Sequence, residues 1–164
     1  MDSIRIKNLR SLKDTGSISL KSLNLLLGKN SSGKSTFLRS FPLLRQSVET
    51  RTKGPILWYG PYVDFGMFKD AVTNDNSREI VFEFGYDYKA LKKTRTRRRF
   101  NQSALESSAV GLKTVAVSIH LGVSEDDWRT VLEQLDVTLN FTDSQDIISY
   151  QFESDAVVRS IVNG

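Results

Sequence analysis

Gly28-Lys29-Asn30-Ser31-Ser32-Gly33-Lys34-Ser35 follows the pattern G-x-x-x-x-G-K-S without a mismatch. Each residue type has a chemical use at that spacing. Gly28 and Gly33 let the backbone adopt unusual dihedrals and add no side-chain bulk, so N–H groups can converge on an anion. Lys34 supplies a mobile cation for the β- and γ-phosphates of a nucleotide. Ser35 supplies a hydroxyl for Mg²⁺. The chemistry this pattern can do is to hold a nucleotide polyphosphate.

Such a loop works only between a buried strand and the start of a helix, whose free N–H groups and positive dipole end face the same anion. Leu23, Leu25, Leu26 and Leu27 form an apolar run that suits a buried strand. Phe37, Leu38, Phe41, Leu43 and Leu44 recur at roughly helical spacing and predict a helix from near Lys34 to near Ser47. Pro42 falls inside it, which predicts a kink or an early break. Upstream, Ile4 and Ile6 alternate with Arg5 and Lys7, so Ser3 to Asn8 reads as a strand. Asp14-Thr15-Gly16 reads as a turn, and Ser17 to Leu20 as a second short strand.

Residues 51–78 read as a connection, with turns at Gly54-Pro55 and Gly60-Pro61. Between those turns Ile56, Leu57, Trp58 and Tyr59 form an apolar plug expected in the core. Residues 64–72 are expected to hold one or two helical turns. From residue 79 the period changes to two. Ile80-Phe82-Phe84, Val115-Val117-Ile119-Leu121, Val131 to Phe141 and Ile148-Tyr150-Phe152 all alternate, and Val157 to Val162 closes the chain. The piece around Trp128, Val131, Leu132 and Leu135 also fits a helical face, but alternation out to Phe141 favours a strand. The expected fold class is α+β: a P-loop unit over 1–50, the connection, and an antiparallel β-meander over 79–164. It is not a doubly wound parallel sheet.

The bulk composition narrows the function. A chain of 164 residues suits one domain with a real core. Absence of cysteine excludes disulfides, Cys-based zinc sites and thiol catalysis. His120 is the single histidine and is expected to face the surface of its strand. The N-terminus lacks an apolar signal core, and no apolar run approaches membrane-spanning length, so no membrane partner and a cytoplasmic location are expected. Lys89, Lys92, Lys93, Arg95, Arg97, Arg98 and Arg99 lie within eleven residues, and removing these seven from the net +4 leaves −3. The basicity belongs to that segment, not to the body.

Ile4-Arg5-Ile6-Lys7-Asn8-Leu9-Arg10-Ser11, followed by Leu26 to Leu38 with its G-x-N-x-S-G-K-S-T core, resembles the N-terminus of an SMC-like ABC ATPase. Tyr62 to Val72 and Arg78 to Phe84 resemble the defence-associated branch of that group, with the Septu-type, retron-associated and overcoming-lysogenisation-defect ATPases. The resemblance covers about residues 3 to 88 and implies ATP and Mg²⁺ as ligands. It implies that Gly28, Asn30, Ser31, Ser32, Gly33 and Lys34 wrap the β- and γ-phosphates. Ser35 would bind Mg²⁺, Thr36 would reach the α-phosphate, and Arg10 and Ser11 would lie near the nucleotide. It further implies dimerisation through sandwiched ATP, and a partner effector such as a nuclease.

The same resemblance requires a second lobe, with an L-S-G-G-type signature and a Walker B strand ending in Asp-Glu. No Ser-Gly-Gly occurs, and Glu125-Asp126-Asp127 reads as a turn. Gln46 could serve as the Q-loop glutamine but lies too close to the P-loop, on its helix. The catalytic base is therefore unknown, and the chain is expected to be the N-terminal lobe of a larger assembly, with the C-terminal lobe absent and no useful turnover alone. Two other classes stand beside this reading. One is a nucleic-acid-binding module that keeps the P-loop for structure, which intact Lys34 and Ser35 argue against. The other is a small P-loop kinase or GTPase, disfavoured by the meander and by the lack of an N-K-x-D after the loop.

The basic loop over 89–100 is open to nucleic acid, to an acidic protein surface, or to simple solvation. Tyr86, Tyr88 and Phe100 flank it, and aromatics can stack on unpaired bases. If nucleic acid is the partner, neutralising Lys92, Lys93, Arg95, Arg97, Arg98 and Arg99 together weakens binding to unrelated sequences alike and flattens its salt dependence, with about 0.9 of slope lost per phosphate contact. ATP binding stays unchanged. Titrating fluorescent DNA and RNA at several salt concentrations measures the slope, and an unchanged slope leaves the protein-partner reading in front.

Overall fold

The computed structural model describes residues 1–52, 54–73, 78–89, 111–124, 129–153 and 156–163. The strands are β1 (Ser3–Leu9), β2 (Leu12–Asp14), β3 (Ile18–Ser19), β4 (Ile80–Asp87), β5 (Thr114–Val123), β6 (Thr130–Asn140), β7 (Gln145–Glu153) and β8 (Ala156–Asn163). The helices are α1 (Lys34–Glu49) and the short α2 (Phe68–Ala71). All the strands join one antiparallel sheet of order β2-β1-β4-β5-β6-β7-β8, with β3 also pairing to β1. The expected meander is present, and residues 130–140 are strand, as their alternation predicts. Among the described residues no helix is long and apolar enough to cross a membrane.

Alternation decides which face is buried. Ile4 pairs with Phe84, Ile6 with Phe82, Phe82 with Ile119 and Ile80 with Leu121, so one face carries a continuous apolar row. Phe37 and Leu43 of α1 join that row in a single core, together with Ile56, Trp58, Phe65, Phe68 and Ala71 from the connection and α2. Trp58 packs on Phe65 and Phe68 at centroid distances of 6.4 and 6.1 Å. The apolar plug is thus half correct: Ile56 and Trp58 are buried, whereas Tyr59 is 71% exposed.

Two expectations about the P-loop unit are overturned. The first is the strand over Leu23–Leu27. The segment belongs to no strand, and Leu23, Leu25 and Leu27 are 86%, 78% and 82% exposed, with only Leu26 packed on the core. A strand needs a neighbour to satisfy its N–H and C=O groups. β1 already has β4 on one side and β2 and β3 on the other, and the chain leaves the sheet at Leu20. Asn24 fixes that departure: its amide donates to the Ser19 carbonyl, and its oxygen accepts from the Lys21 N–H, both at 2.8 Å.

The second correction is the early break expected at Pro42, since α1 continues through it to Glu49. Proline removes the N–H that would bond the Leu38 carbonyl, but Leu38 is 57% exposed, so water can take that place. Buried Phe37, Ser40, Leu43 and Gln46 hold the helix on both sides of the proline.

Gln46 is fully buried and every polar group of its amide is used. Nε2 donates to the Leu57 carbonyl at 2.7 Å and the Val63 carbonyl at 3.1 Å. Oε1 accepts from the Tyr62 and Val63 N–H groups, each at 3.1 Å. Gly60 lies against this amide, and a Cβ there would approach it to 2.8 Å. Gln46 therefore ties the 57–63 loop to α1.

The opposite sheet face carries a polar cluster, and His120 belongs to it. Its side chain is only 20% exposed, not solvated as expected, with Nδ1 at 2.5 Å from Glu79 Oε1 and Nε2 at 3.5 Å from Asp136 Oδ2. A register shift at His120/Leu121 places Glu133 outside the ladder, and its carboxyl lies over Gly122, where a Cβ would collide with it. Glu133 is exposed as a residue, but partial desolvation of its carboxyl over Gly122, reinforced by the charge of Glu79 and opposed by His120, pushes it up from its ordinary 4.5.

Two outcomes follow. Gln46→Leu leaves the Leu57 carbonyl and the Tyr62 and Val63 N–H groups without partners, while the Val63 carbonyl keeps the Gly60 N–H, and lowers unfolding stability by about 3 kcal/mol in urea titrations. For Glu133 the raised acid is stabilising below its ordinary value and loses that contribution as pH rises through its folded value. Glu133→Gln therefore raises the melting temperature at pH 7 relative to the parent, and the difference vanishes when the melts are repeated below pH 4.5.

Candidate nucleotide-binding site

The site is built from the β1–β2 turn, the P-loop and the first turn of α1. Arg5 and Asp14 set the turn by pairing through two hydrogen bonds of 2.9 and 2.6 Å across β1 and β2. Arg5, helped by the Gly16 N–H, holds the Asp14 carboxyl well below the usual carboxylate range. The turn itself is tight, with Asn8 and Arg10 at φ 59° and 50°. The stretch after α2 buttresses it. The Arg10 N–H donates to the Ala71 carbonyl at 2.6 Å, and the Thr73 hydroxyl donates to the Arg10 carbonyl at 2.8 Å.

This turn presses Ser11 and Leu12 against Gly33. A Cβ on Gly33 would overlap the Leu12 side chain and come within 3.3 Å of the Ser11 hydroxyl. Gly33 also has φ 90°, a conformation that L side chains rarely adopt. Only glycine fits here. Gly33 is the residue before α1, and its carbonyl accepts the first helical hydrogen bond, from the Phe37 N–H at 2.9 Å. No side chain caps this end, and the first turn holds no acid. The leading N–H groups of α1 thus remain open to an anion.

The loop before Gly33 is folded back on itself, with Ser31 at φ 62° and the Ser32 N–H reaching the Lys29 carbonyl at 3.4 Å. Lys34 bridges it. Its Nζ donates to the Gly28 carbonyl at 2.7 Å, the Lys29 carbonyl at 2.6 Å and the Ser32 hydroxyl at 3.2 Å. All three ammonium protons are directed into the loop, and a phosphate oxygen entering there takes over some of these donors. Ser35 is exposed and Thr36 half-buried on the first helical turn.

The structure thus brings Gly28, Asn30, Ser31, Ser32, Gly33, Lys34, Ser35 and Thr36 into one loop and helix start. Arg10 is placed differently from its neighbour. Ser11 lies against Gly33, whereas the Arg10 guanidinium sits 4.5 Å from the centroid of the Phe65 ring. Among the described residues no group of three or more His, Cys, Asp or Glu is placed to hold a metal ion. Lys92, Lys93, Arg95, Arg97, Arg98 and Arg99 lie outside the described residues, as do Glu125, Asp126 and Asp127.

Sequence reading missed the supports of this site. Nothing in the local pattern marked Leu12 as the side chain that excludes a Cβ at Gly33, or Ala71 and Thr73 as anchors of Arg10. The Arg10 contacts join residues about sixty positions apart and the Leu12–Gly33 contact residues about twenty apart, and only the fold brings them together.

No curated protein matches the sequence. The family model of the AAA ATPase domain matches residues 1–155, which takes in the loop, α1 and the sheet through β7. The chain therefore belongs to the AAA ATPase domain family of P-loop ATPases.

Proposed function

We propose that this chain is the ATP-binding lobe of an SMC-like ABC ATPase. Its nucleotide state would gate assembly with a second P-loop unit and thereby control a partner effector in bacterial anti-phage defence. The observation that carries the nucleotide part is the Lys34 ammonium held across a loop that ends in an uncapped helix start. In this reading Gly28, Asn30, Ser31, Ser32, Gly33 and Lys34 hold the β- and γ-phosphates, Thr36 the α-phosphate, and Ser35 the Mg²⁺ ion. Mg²⁺, when bound, draws negative charge from the phosphate oxygens. The chain's own residues bind and orient the phosphates and keep them on the helix axis.

Hydrolysis needs a positioned water and further charge stabilisation. We assign those to a second lobe. Leu23, Leu25 and Leu27 support that assignment, because an apolar run this exposed is suited to pairing with a neighbouring strand and being covered by it. The defence role rests on the resemblance of residues 62–72 and 78–84. A nucleic-acid-binding module that keeps the loop only for structure has less support, since a purely structural turn has no need of Lys34 and exposed Ser35.

Calorimetric titration with ATP and Mg²⁺ tests the proposal. Lys34→Ala is expected to abolish a binding signal that the parent shows, and the 164-residue chain alone is expected to show no ATP turnover. Equal affinity of mutant and parent would refute phosphate binding by the loop. Lys34-dependent turnover by the isolated chain would refute the need for a second lobe.

A further inference from the structure

Two arginines from different parts of the fold converge on one ring. The guanidinium carbons of Arg10 and Arg39 lie 4.5 and 5.2 Å from the centroid of Phe65. Phe65 is fully buried, and its N–H is fixed to the Trp58 carbonyl at 2.8 Å. A ring face attracts a cation, but two like charges on one ring repel each other. Arg39 donates to the backbone carbonyl of Asp64 at 2.7 Å, and among the described residues neither arginine has a carboxylate within ion-pair distance. The arrangement is suited to a shared anion.

The place of the pair says which anion. Arg39 follows Ser35 by four residues on α1, so the two share a face about 6 Å apart along the axis. Helical side chains lean back toward the N-terminus, which carries the Arg39 head toward the Ser35 level. Arg10 precedes Ser11, whose hydroxyl lies against Gly33. Both cations therefore come from the segments that border the P-loop, the turn after β1 and the start of α1.

We infer that Arg39, with Arg10 beside it on Phe65, recognises the terminal phosphate of the bound nucleotide and so distinguishes a triphosphate from a diphosphate. Arg39 exchanges its Asp64 carbonyl for a γ-phosphate oxygen, and the anion neutralises the pair. The exchange has a route outward. Asp64 lies next to the 57–63 loop that Gln46 clamps, and in the same connection Trp58 Nε1 donates to the Thr130 hydroxyl on β6 at 2.7 Å. Release of Asp64 thus alters a segment that touches both α1 and the meander. The inference rests on nucleotide binding by the P-loop as proposed above.

The test is calorimetry with AMP-PNP and with ADP, each with Mg²⁺, on the parent, Arg39→Gln, Arg39→Lys and Lys34→Ala. Glutamine can keep a donor for the Asp64 carbonyl, so the fold is retained while the charge is lost. Loss of one charge-assisted contact should weaken AMP-PNP binding by about tenfold in Arg39→Gln, with ADP binding changed by less than about twofold. Arg39→Lys should recover part of the difference. An equal change for both nucleotides, or none, overturns the role of Arg39 while leaving the P-loop reading intact. Absence of binding by the parent, or binding that survives Lys34→Ala, overturns the P-loop reading itself and this inference with it.

Discussion

The contact of Gly33 with Leu12 and Ser11 is the constraint on which the site depends. It joins the end of the phosphate loop, where α1 begins, to the turn that follows β1. The backbone at Gly33 is left-handed, and no space exists for a Cβ. Any side chain there would push the β1–β2 turn off the helix start and would change the dihedral that aims the leading N–H groups. The hairpin is in turn held by the Arg5–Asp14 pair and by the bonds from Ala71 and Thr73. Side chains in the sheet thus fix a backbone conformation in the loop, and that conformation is what an anion would meet.

A second dependence runs along α1. Sixteen residues of helix carry the phosphate loop at one end and Gln46 near the other. An isolated helix of this length with a proline inside it would be marginal, so its persistence comes from tertiary contacts. Phe37 and Leu43 supply apolar contact, and Gln46 supplies four hydrogen bonds to the 57–63 loop. Ser47 adds another link: its hydroxyl donates to the Leu43 carbonyl and accepts from the Leu57 N–H. The loop that carries Phe65 is therefore positioned by the same helix that starts at the P-loop. Motion at one end has a mechanical path to the other, because a packed helix shifts as a body and does not bend gradually.

What was legible in the sequence was local. The G-x-x-x-x-G-K-S pattern fixes the loop residues because its chemistry is confined to eight neighbouring positions. Period-two alternation exposes β4 to β7, because burial of one sheet face writes itself directly into the order of residues. Failures arose where the deciding partner lies far away. Leu23–Leu27 has the composition of a buried strand, but composition says only that a strand would suit the segment, not that a neighbour is present to pair with it. Gln46 is singled out in sequence only as a candidate Q-loop glutamine, and its partners Leu57, Tyr62 and Val63 sit eleven to seventeen positions downstream. His120 alternates correctly on its strand, yet its environment is set by Glu79 and Asp136 from outside that strand. Pro42 carried a strong local prediction that core packing on both sides overrode.

The exposed leucines and the phosphate loop are consecutive in the chain, which makes them energetically linked. Covering a leucine side chain gains about 1.5–3 kcal/mol. Three such residues in Leu23–Leu27 can therefore offset the entropy of fixing that short segment as a strand, roughly 1–2 kcal/mol per residue. Leu27 immediately precedes Gly28, the first residue of the loop. A neighbour that paired with Leu23–Leu27 would fix the direction in which the chain enters the loop, and with it the two carbonyls, of Gly28 and Lys29, that now hold the Lys34 ammonium. The converse also holds. A phosphate that draws Lys34 from those carbonyls alters the segment's end and changes how well it pairs. Linkage of this kind is reciprocal in free energy. Lobe assembly and nucleotide affinity would therefore be coupled even without contact between the second lobe and the nucleotide.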